Sequence, residues 1–280
     1  MRVVIFGGTG LLGQSLFKDL TNKKYICFRS SLKKKSDFKS NLLSKKKILK
    51  FIKKKNPEIV INCAGETDVD FCNKNFKAAF TSNVKTVQNI ADSLQKLKKN
   101  IFFLHISTDQ VYDSNSLSHE NQINISNIYG ATKYLGEIEA LKYKKTLVLR
   151  TNFFGKSLVK NRPSYTDFII SNIANKKKIK IPSNVYFNPI HLDHLNNIIL
   201  KLINKKLTGV FNLGSINSIS KYNFAKKVAQ KFKLNIKYIS SFKSIFSFNQ
   251  RPLNTYMSTN KLKKKINIKI PSVQDGINML

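Results

Sequence analysis

Residues Met1–Gly13, reading MRVVIFGGTGLLG, leave few folds open. A β-branched apolar run from Arg2 to Phe6 meets a glycine cluster, and helical spacing then carries Leu11, Leu12, Leu16 and Leu20. Strand, tight turn and helix in that order aim backbone N–H groups and the positive end of a helix dipole at one point, which suits a pyrophosphate without help from lysine. Two registers are open: Gly8, Gly10 and Gly13 fit G-x-G-x-x-G, while Gly7, Gly10 and Gly13 fit G-x-x-G-x-x-G. Either points to a dinucleotide cradle over Gly7, Thr9, Gly10, Leu11, Leu12 and Gly13, against a glycine-rich turn of some other doubly wound protein.

The first half alternates strand and helix patterns. Strands are expected at Arg2–Phe6, Tyr25–Phe28, Ile59–Cys63, Ile101–Ser107 and Thr146–Arg150, with helices near Leu11–Asp19, Leu43–Lys54, Ala78–Leu97 and Asn127–Leu141. Beyond Thr151 the alternation loosens. Helical periodicity over Tyr165–Ala174, Leu192–Leu202 and Lys221–Phe232 is separated by short strands such as Val210–Leu213. The expected fold is α/β: a Rossmann-type doubly wound parallel sheet over 1–150, taking back part of 185–205, with a smaller C-terminal α+β region over 151–280.

With Lys+Arg 50 against Asp+Glu 15, the net charge is +35. That balance invites a nucleic-acid reading. Yet arginine is confined to Arg2, Arg29, Arg150, Arg162 and Arg251, while lysine is scattered in short runs such as 33–35, 45–47, 53–55, 176–178 and 263–265. Base readers and bidentate phosphate clamps favour arginine. The joint abundance of Lys, Asn and Ile matches the codon usage of an AT-rich genome, and no specific nucleic acid is expected as partner. Cys27, Cys63 and Cys72 lack metal-ligand spacing, so no metal is expected and a reducing compartment is the simpler reading. With no apolar run of membrane-spanning length, neither a membrane partner nor a location other than the cytoplasm is expected.

A Tyr followed four residues later by Lys on a helix puts both on one face, where the ammonium lowers the phenol's pKa from a reference near ~10 and readies it as a general acid. Two such pairs occur. Tyr222/Lys226 follows Ser220, an N-cap type, outside the nucleotide-binding half and is read as structural. Tyr129/Lys133, in YGATK, opens the helix that follows the strand ending in Ser107-Thr108-Asp109-Gln110-Val111-Tyr112. A hydroxyl at a strand's carboxyl end can hydrogen-bond the oxygen that the phenol protonates.

The order GGTGLLG, NCAG, STDQVY and YGATK resembles the extended short-chain dehydrogenase/reductases. Within them the chain is most similar to the dTDP-4-dehydrorhamnose reductase family. Asn62–Asp70 resembles that family's N-x-A-x-x-T-x-V-D, and Leu149–Phe153 its L-R-T-S-W, with Phe153 where Trp is usual. Arg251–Thr255 and Ser258–Leu262 resemble R-P-x-N-S and D-T-S-K-L, whereas Asn188–Asp193 looks more like other sugar-nucleotide reductases and epimerases.

The resemblance implies a catalytic set of Thr108, Tyr129 and Lys133. It further implies cofactor contacts from Asn41, Leu42, Cys63, Ala64 and Gly65, and substrate contacts from Thr67, Val69, Thr108, Asn152, Phe153 and Arg251. A nucleotide-sugar substrate and a homodimer are among its implications. Its alternatives are an epimerase or reductase of another nucleotide sugar, and a non-catalytic NADP-binding regulatory subunit. The second strand ends in Arg29-Ser30-Ser31 rather than an acid, and Asp37 comes too late to serve, so NADP(H) is expected ahead of NAD(H).

Overall fold

A computed structural model describes residues 1–32, 36–160, 162–245 and 251–280; the lysine run at 33–35 lies outside them. The chain begins β1 (Arg2–Phe6), α1 (Leu11–Asn22), β2 (Ile26–Ser31), β3 (Phe38–Lys39), α2 (Lys45–Lys55) and β4 (Ile59–Asn62). It continues through α3 (Val69–Lys74), α4 (Phe76–Phe80), a π turn (Thr81–Lys85), α5 (Thr86–Lys96), β5 (Phe102–Thr108), α6 (Ile128–Leu141) and β6 (Thr146–Thr151). Next come β7 (Phe153–Phe154), α7 (Tyr165–Ala174), β8 (Ile179–Pro182), β9 (Tyr186–Phe187), β10 (Ile190–His191), α8 (Leu192–Lys205) and β11 (Gly209–Leu213). Last are β12 (Ile219–Ser220), α9 (Lys221–Lys231), β13 (Ile239–Phe242), α10 (Asn260–Ile266) and α11 (Val273–Asn278).

Seven strands form one sheet in the order β11-β6-β5-β4-β1-β2-β3. β1 pairs in parallel with β2 and β4, β4 with β5, and β2 with β3. Strand order therefore reverses between β1 and β4, the place where a doubly wound sheet opens a crevice beyond its carboxyl ends. The central strands IVIN, FFLHIST and TLVLRT are buried at every residue, as strands covered on both faces must be. On one face Val4, Phe6, Val60, Phe103 and Val148 pack with Ile48, Phe51 and Ile52 of α2 and Val87, Ile90, Ala91 and Leu94 of α5. The α5 residues recur at i, i+3, i+4 and i+7, which gathers them into a single stripe.

The chain divides into two compact units: 1–108, 127–150 and 196–211 form the first, and 109–126, 151–195 and 212–280 the second. The first unit thus takes residues 196–211 back from the C-terminal half. Residues 109–126 belong to the second unit because their polar groups find partners there: Asp109 accepts from Asn152 and Thr255, and Tyr112 donates to Asn212. The strand expected at Val210–Leu213 extends the main sheet as β11 instead of joining the smaller region. Strand pairing is non-local, so a short apolar run does not announce its neighbour. The second unit has its own core, in which the Phe224 ring meets Phe154 and Phe187 edge-on at 5.0 and 5.5 Å. Among the described residues no helix is long and apolar enough to cross a membrane.

Part of the lysine excess has a structural place. Lys24, Lys98, Lys176, Lys206 and Lys233 follow the last turns of α1, α5, α7, α8 and α9 with φ between 48° and 63°, the left-handed conformation that ends a helix. A cation there faces the negative end of the helix dipole, but a Cβ at positive φ is strained. The strain is the larger of the two. Lys98→Gly should therefore raise unfolding free energy by roughly 0.5–1 kcal/mol in a urea titration; a loss of stability would show that the charge at the helix end dominates.

Candidate active site

Three close approaches build the first βα turn. Gly7 has φ +73°, and a Cβ there would lie 2.6 Å from the Ala64 nitrogen; a Cβ on Gly13 would lie 2.3 Å from the Gly7 oxygen, and one on Gly8 2.5 Å from the Arg29 Cβ. The turn thus touches the loop after β4, its own helix and the end of β2. Gly10 is the N-cap of α1 and has no side chain to cap it. The first-turn amides at Leu11, Leu12 and Gly13 therefore get no acceptor from an N-cap side chain, and the first turn carries no acid. That cradle fits an anionic pyrophosphate. The strained glycine is Gly7, which favours the Gly7/Gly10/Gly13 register.

At the end of β2, the Arg29 guanidinium lies 4.5 Å from the Phe17 ring, and Ser30 is buried, its carbonyl accepting from the Gly8 N–H. Asp37 is nearer than its sequence distance suggests. Its Oδ2 accepts from the Arg29 N–H at 2.8 Å, while its own N–H donates to the Arg29 carbonyl. That oxygen is engaged with the backbone. Asn41 is exposed and Leu42 is packed into the core at φ +60°, where its carbonyl accepts from the Asn89 amide. Leu42 is therefore a core residue here.

After β4, the buried Asn62 side chain accepts from the Ala64 N–H and meets His105 Nδ1 at 3.1 Å, fixing the loop Cys63-Ala64-Gly65. A Cβ on Gly65 would lie 2.8 Å from Asn83 Oδ1 and 3.9 Å from Lys133 Nζ. The loop and the lysine are neighbours. Burial pushes the Cys63 thiol up to about 12 despite the Lys133 charge. Thr67 is exposed, whereas Val69 is buried with Cys72, Ala79 and Tyr129 in a small apolar cluster, so it supports the tyrosine.

Thr108 ends β5, Tyr129 lies in the first turn of α6, and Lys133 sits one turn later; all three are buried in the first unit. Asn127 caps α6 by accepting from the Gly130 N–H at 2.8 Å, and Lys133 Nζ donates to the Ile106 carbonyl at 2.7 Å. Burial lowers the ammonium from its ordinary 10.5 to about 8, opposed first by the Glu137 carboxylate. His105 is held well below its usual range by burial and by Lys133.

One contributor has no sequence signature. The π turn at 81–85 places Asn83 where its side chain accepts from the Glu66 N–H at 2.8 Å and donates to Thr132 Oγ1 at 3.1 Å. Its carbonyl packs so closely on Gly136 that a Cβ there would fall 2.3 Å away. The extra residue of a π turn is invisible to a 3.6-residue pattern.

The second unit holds Asn152, half-buried Phe153 and exposed Arg251. Asn152 donates to Asp109 Oδ2 at 2.7 Å, which also accepts from Thr255 Oγ1 at 2.6 Å. Sequence reasoning missed Lys221, a half-buried first-turn residue of α9. Burial and the Arg251 charge lower its pKa, and Asp109 opposes them. The other tyrosine–lysine pair packs against the second unit's core: Tyr222 lies on that cluster, and Lys226 Nζ is 5.5 Å from its ring. Among the described residues no cluster of His, Cys, Asp or Glu could hold a metal.

A glycine cradle at the β1/β4 switch point and a buried Thr–Tyr–Lys set beyond β5 define an extended short-chain dehydrogenase/reductase. The family described as RmlD substrate binding domain matches residues 1–280, and the chain belongs to it. It is 24% identical over 290 residues to dTDP-4-dehydrorhamnose reductase of Aggregatibacter actinomycetemcomitans, covering 95% of this chain and 94% of that one. Against methionine adenosyltransferase 2 subunit beta of Danio rerio it is 26% identical over 246 residues, covering 83% and 74%. A crystal structure of dTDP-4-dehydrorhamnose reductase from Bacillus anthracis in complex with NADP superposes with a TM-score of 0.89 at 25% identity, covering 99% and 97%.

The depressed Lys133 pKa has a consequence for stability. Between about 8 and 10.5 the unfolded chain binds more protons at this lysine than the folded one, so stability rises with pH across that window and the full penalty applies below it. Lys133→Met should therefore be more stable than wild type at pH 7, with the difference shrinking as pH rises from 8 to 10.5. A difference in chemical unfolding that stays constant over that range contradicts a depressed pKa.

Proposed function

We propose that this protein is an NAD(P)-dependent oxidoreductase that reduces the C4 keto group of a dTDP-4-dehydro-6-deoxyhexose, forming dTDP-L-rhamnose from dTDP-4-dehydrorhamnose for cell-surface polysaccharide synthesis. The observation that carries the reading is the buried Thr108, Tyr129 and Lys133 set beside the Gly65 loop. A bound nicotinamide supplies the hydride. Tyr129 gives its proton to the oxygen that gains charge at C4, and Thr108 orients that oxygen from the strand end. Lys133 sits one helical turn from Tyr129 with one hydrogen bond fixed on the Ile106 carbonyl; its charge favours release of the phenolic proton, and its remaining donors would be available to hold a nicotinamide ribose. Leu11, Leu12 and Gly13 amides receive the pyrophosphate, and Arg29 a 2′-phosphate. Asn152, Phe153, Arg251 and Lys221 belong to the sugar nucleotide, for which the two cations suit a diphosphate.

The similarity to a subunit named for another enzyme gives a second reading, a non-catalytic nucleotide-binding subunit. Keeping Lys133 charged in a buried place costs stability, and a binding module gains nothing from it. Incubation with dTDP-, GDP-, UDP- and CDP-linked 4-keto sugars while following NADPH absorbance decides between the readings; no turnover with any of them sinks the reductase.

Tyr129→Phe should keep cofactor binding and lower turnover by roughly 10²–10⁴, with Tyr222→Phe near wild type in the same assay. The reverse ranking would move catalysis to the other pair. At the cofactor site, Arg29→Asp should weaken NADPH use and shift preference toward NADH, read as the ratio of kcat/KM values. An unchanged ratio would remove Arg29 from 2′-phosphate recognition.

A further inference from the structure

Beneath Lys133 lies a polar network that the catalytic reading does not use. Glu137, one turn further along α6, accepts from the Ser107 hydroxyl at the end of β5 and from Arg150 on β6, whose Nε lies 3.0 and 3.1 Å from the two carboxylate oxygens and whose Nη2 lies 2.6 Å from Oε2. Arg150, Glu137 and Lys133 are 2%, 1% and 5% exposed. Two buried cations thus share one buried carboxylate. A guanidinium cannot give up its proton in a protein, so any loss of negative charge must appear at the lysine.

We propose that Glu137 is a positioning residue for Lys133: clamped between Ser107 and Arg150, its carboxylate keeps the buried ammonium charged and holds α6 at the ends of β5 and β6. Spacing in the helix supports this directly, since i and i+4 side chains lie on one face. The titratable and charged groups around Lys133 are Cys63 after β4, His105 on β5, Tyr129 and Glu137 on α6, with Arg150 on β6 behind the carboxylate. Burial keeps the Cys63 thiol and His105 in their neutral forms at neutral pH. Glu137 is thus the anion of that group, and the direction of its effect on Lys133 is upward.

The chemistry this serves rests on the reductase reading, but the charge itself can be measured without it. The Lys133 13Cε resonance, identified by its loss in Lys133→Met, is titrated in cofactor-free protein. Glu137→Gln should lower the Lys133 midpoint by about one pH unit or more, the range of a single close charge. A Glu137→Gln/Arg150→Met double variant removes both buried charges and keeps the packing; its midpoint should fall between the single variant and wild type. If the single variant does not fold, a midpoint below wild type in the double variant still supports the proposal. A folded variant of either kind with the wild-type midpoint overturns it. In the loaded enzyme, the fall of kcat at rising pH should move down by the same amount, whereas a purely structural role would lower kcat without moving that limb. Absence of reductase activity with the shift present would remove the reductase and leave the role of Glu137 intact.

Discussion

Everything in the nucleotide-binding half depends on a turn with no room for a side chain. Gly7 is pressed against the backbone of Ala64, and Gly13 against the carbonyl of Gly7, so β1, the loop after β4 and the start of α1 converge within van der Waals distance. Such convergence brings helix amides to the carboxyl edge of the sheet, where an anion can be held by dipoles. The same loop continues into Gly65, beside Lys133. The glycine turn and Lys133 therefore meet the same short loop, Cys63–Gly65, whose geometry is fixed by Asn62.

Burial is the second constraint, and it acts against the chemistry. A lysine in an apolar interior tends to lose its proton, and this one is drawn down to about 8. Replacing a buried ion pair by apolar residues of similar volume is often neutral or stabilising, so stability alone is a weak reason for Glu137–Arg150 to lie here. Its placement one turn from Lys133 on α6 gives it a stronger one. Ser107 and Arg150 sit at the carboxyl ends of neighbouring strands, so the carboxylate ties the helix to the same edge that carries Thr108.

Much of this was legible in the chain, for identifiable reasons. Alternating apolar runs and helical stripes announce β1, β2, β4, β5 and β6 because local period follows from local geometry, whereas the two-residue β3 is too short to show one. Spacing and strand position single out Tyr129, Lys133 and Thr108, the resemblance makes them a set, and the structure buries all three in one unit. What escaped depends on distant pairing or on a change of period. Residues 109–126 leave the first unit for partners at 152, 212 and 255; Asp37 is carried back to Arg29; Asn83 rides on a π turn. Glu137 escaped differently. Nothing in its spacing four residues after Lys133 announces burial, and the pairing with Arg150 in a buried central strand makes it an interior charge.

That contrast bears on the lysine content as well. Charge counted along the sequence invites a polyanion reading that its scatter in short lysine runs already argues against, and charge placed in the structure separates into kinds with different physics. Lys24, Lys98, Lys176, Lys206 and Lys233 sit in left-handed positions at helix ends, where they face a dipole. Lys46, Lys47, Lys53 and Lys54 lie on α2, whose Ile48, Phe51 and Ile52 face the core. Lys133 and Lys221 belong to neither group. Each is shifted downward by burial, and each has a carboxylate acting to raise it again, Glu137 for the first and Asp109 for the second. A lysine that costs stability at its own position is the one whose presence calls for a functional account, and those two lie beside residues that the family resemblance assigns to cofactor and substrate.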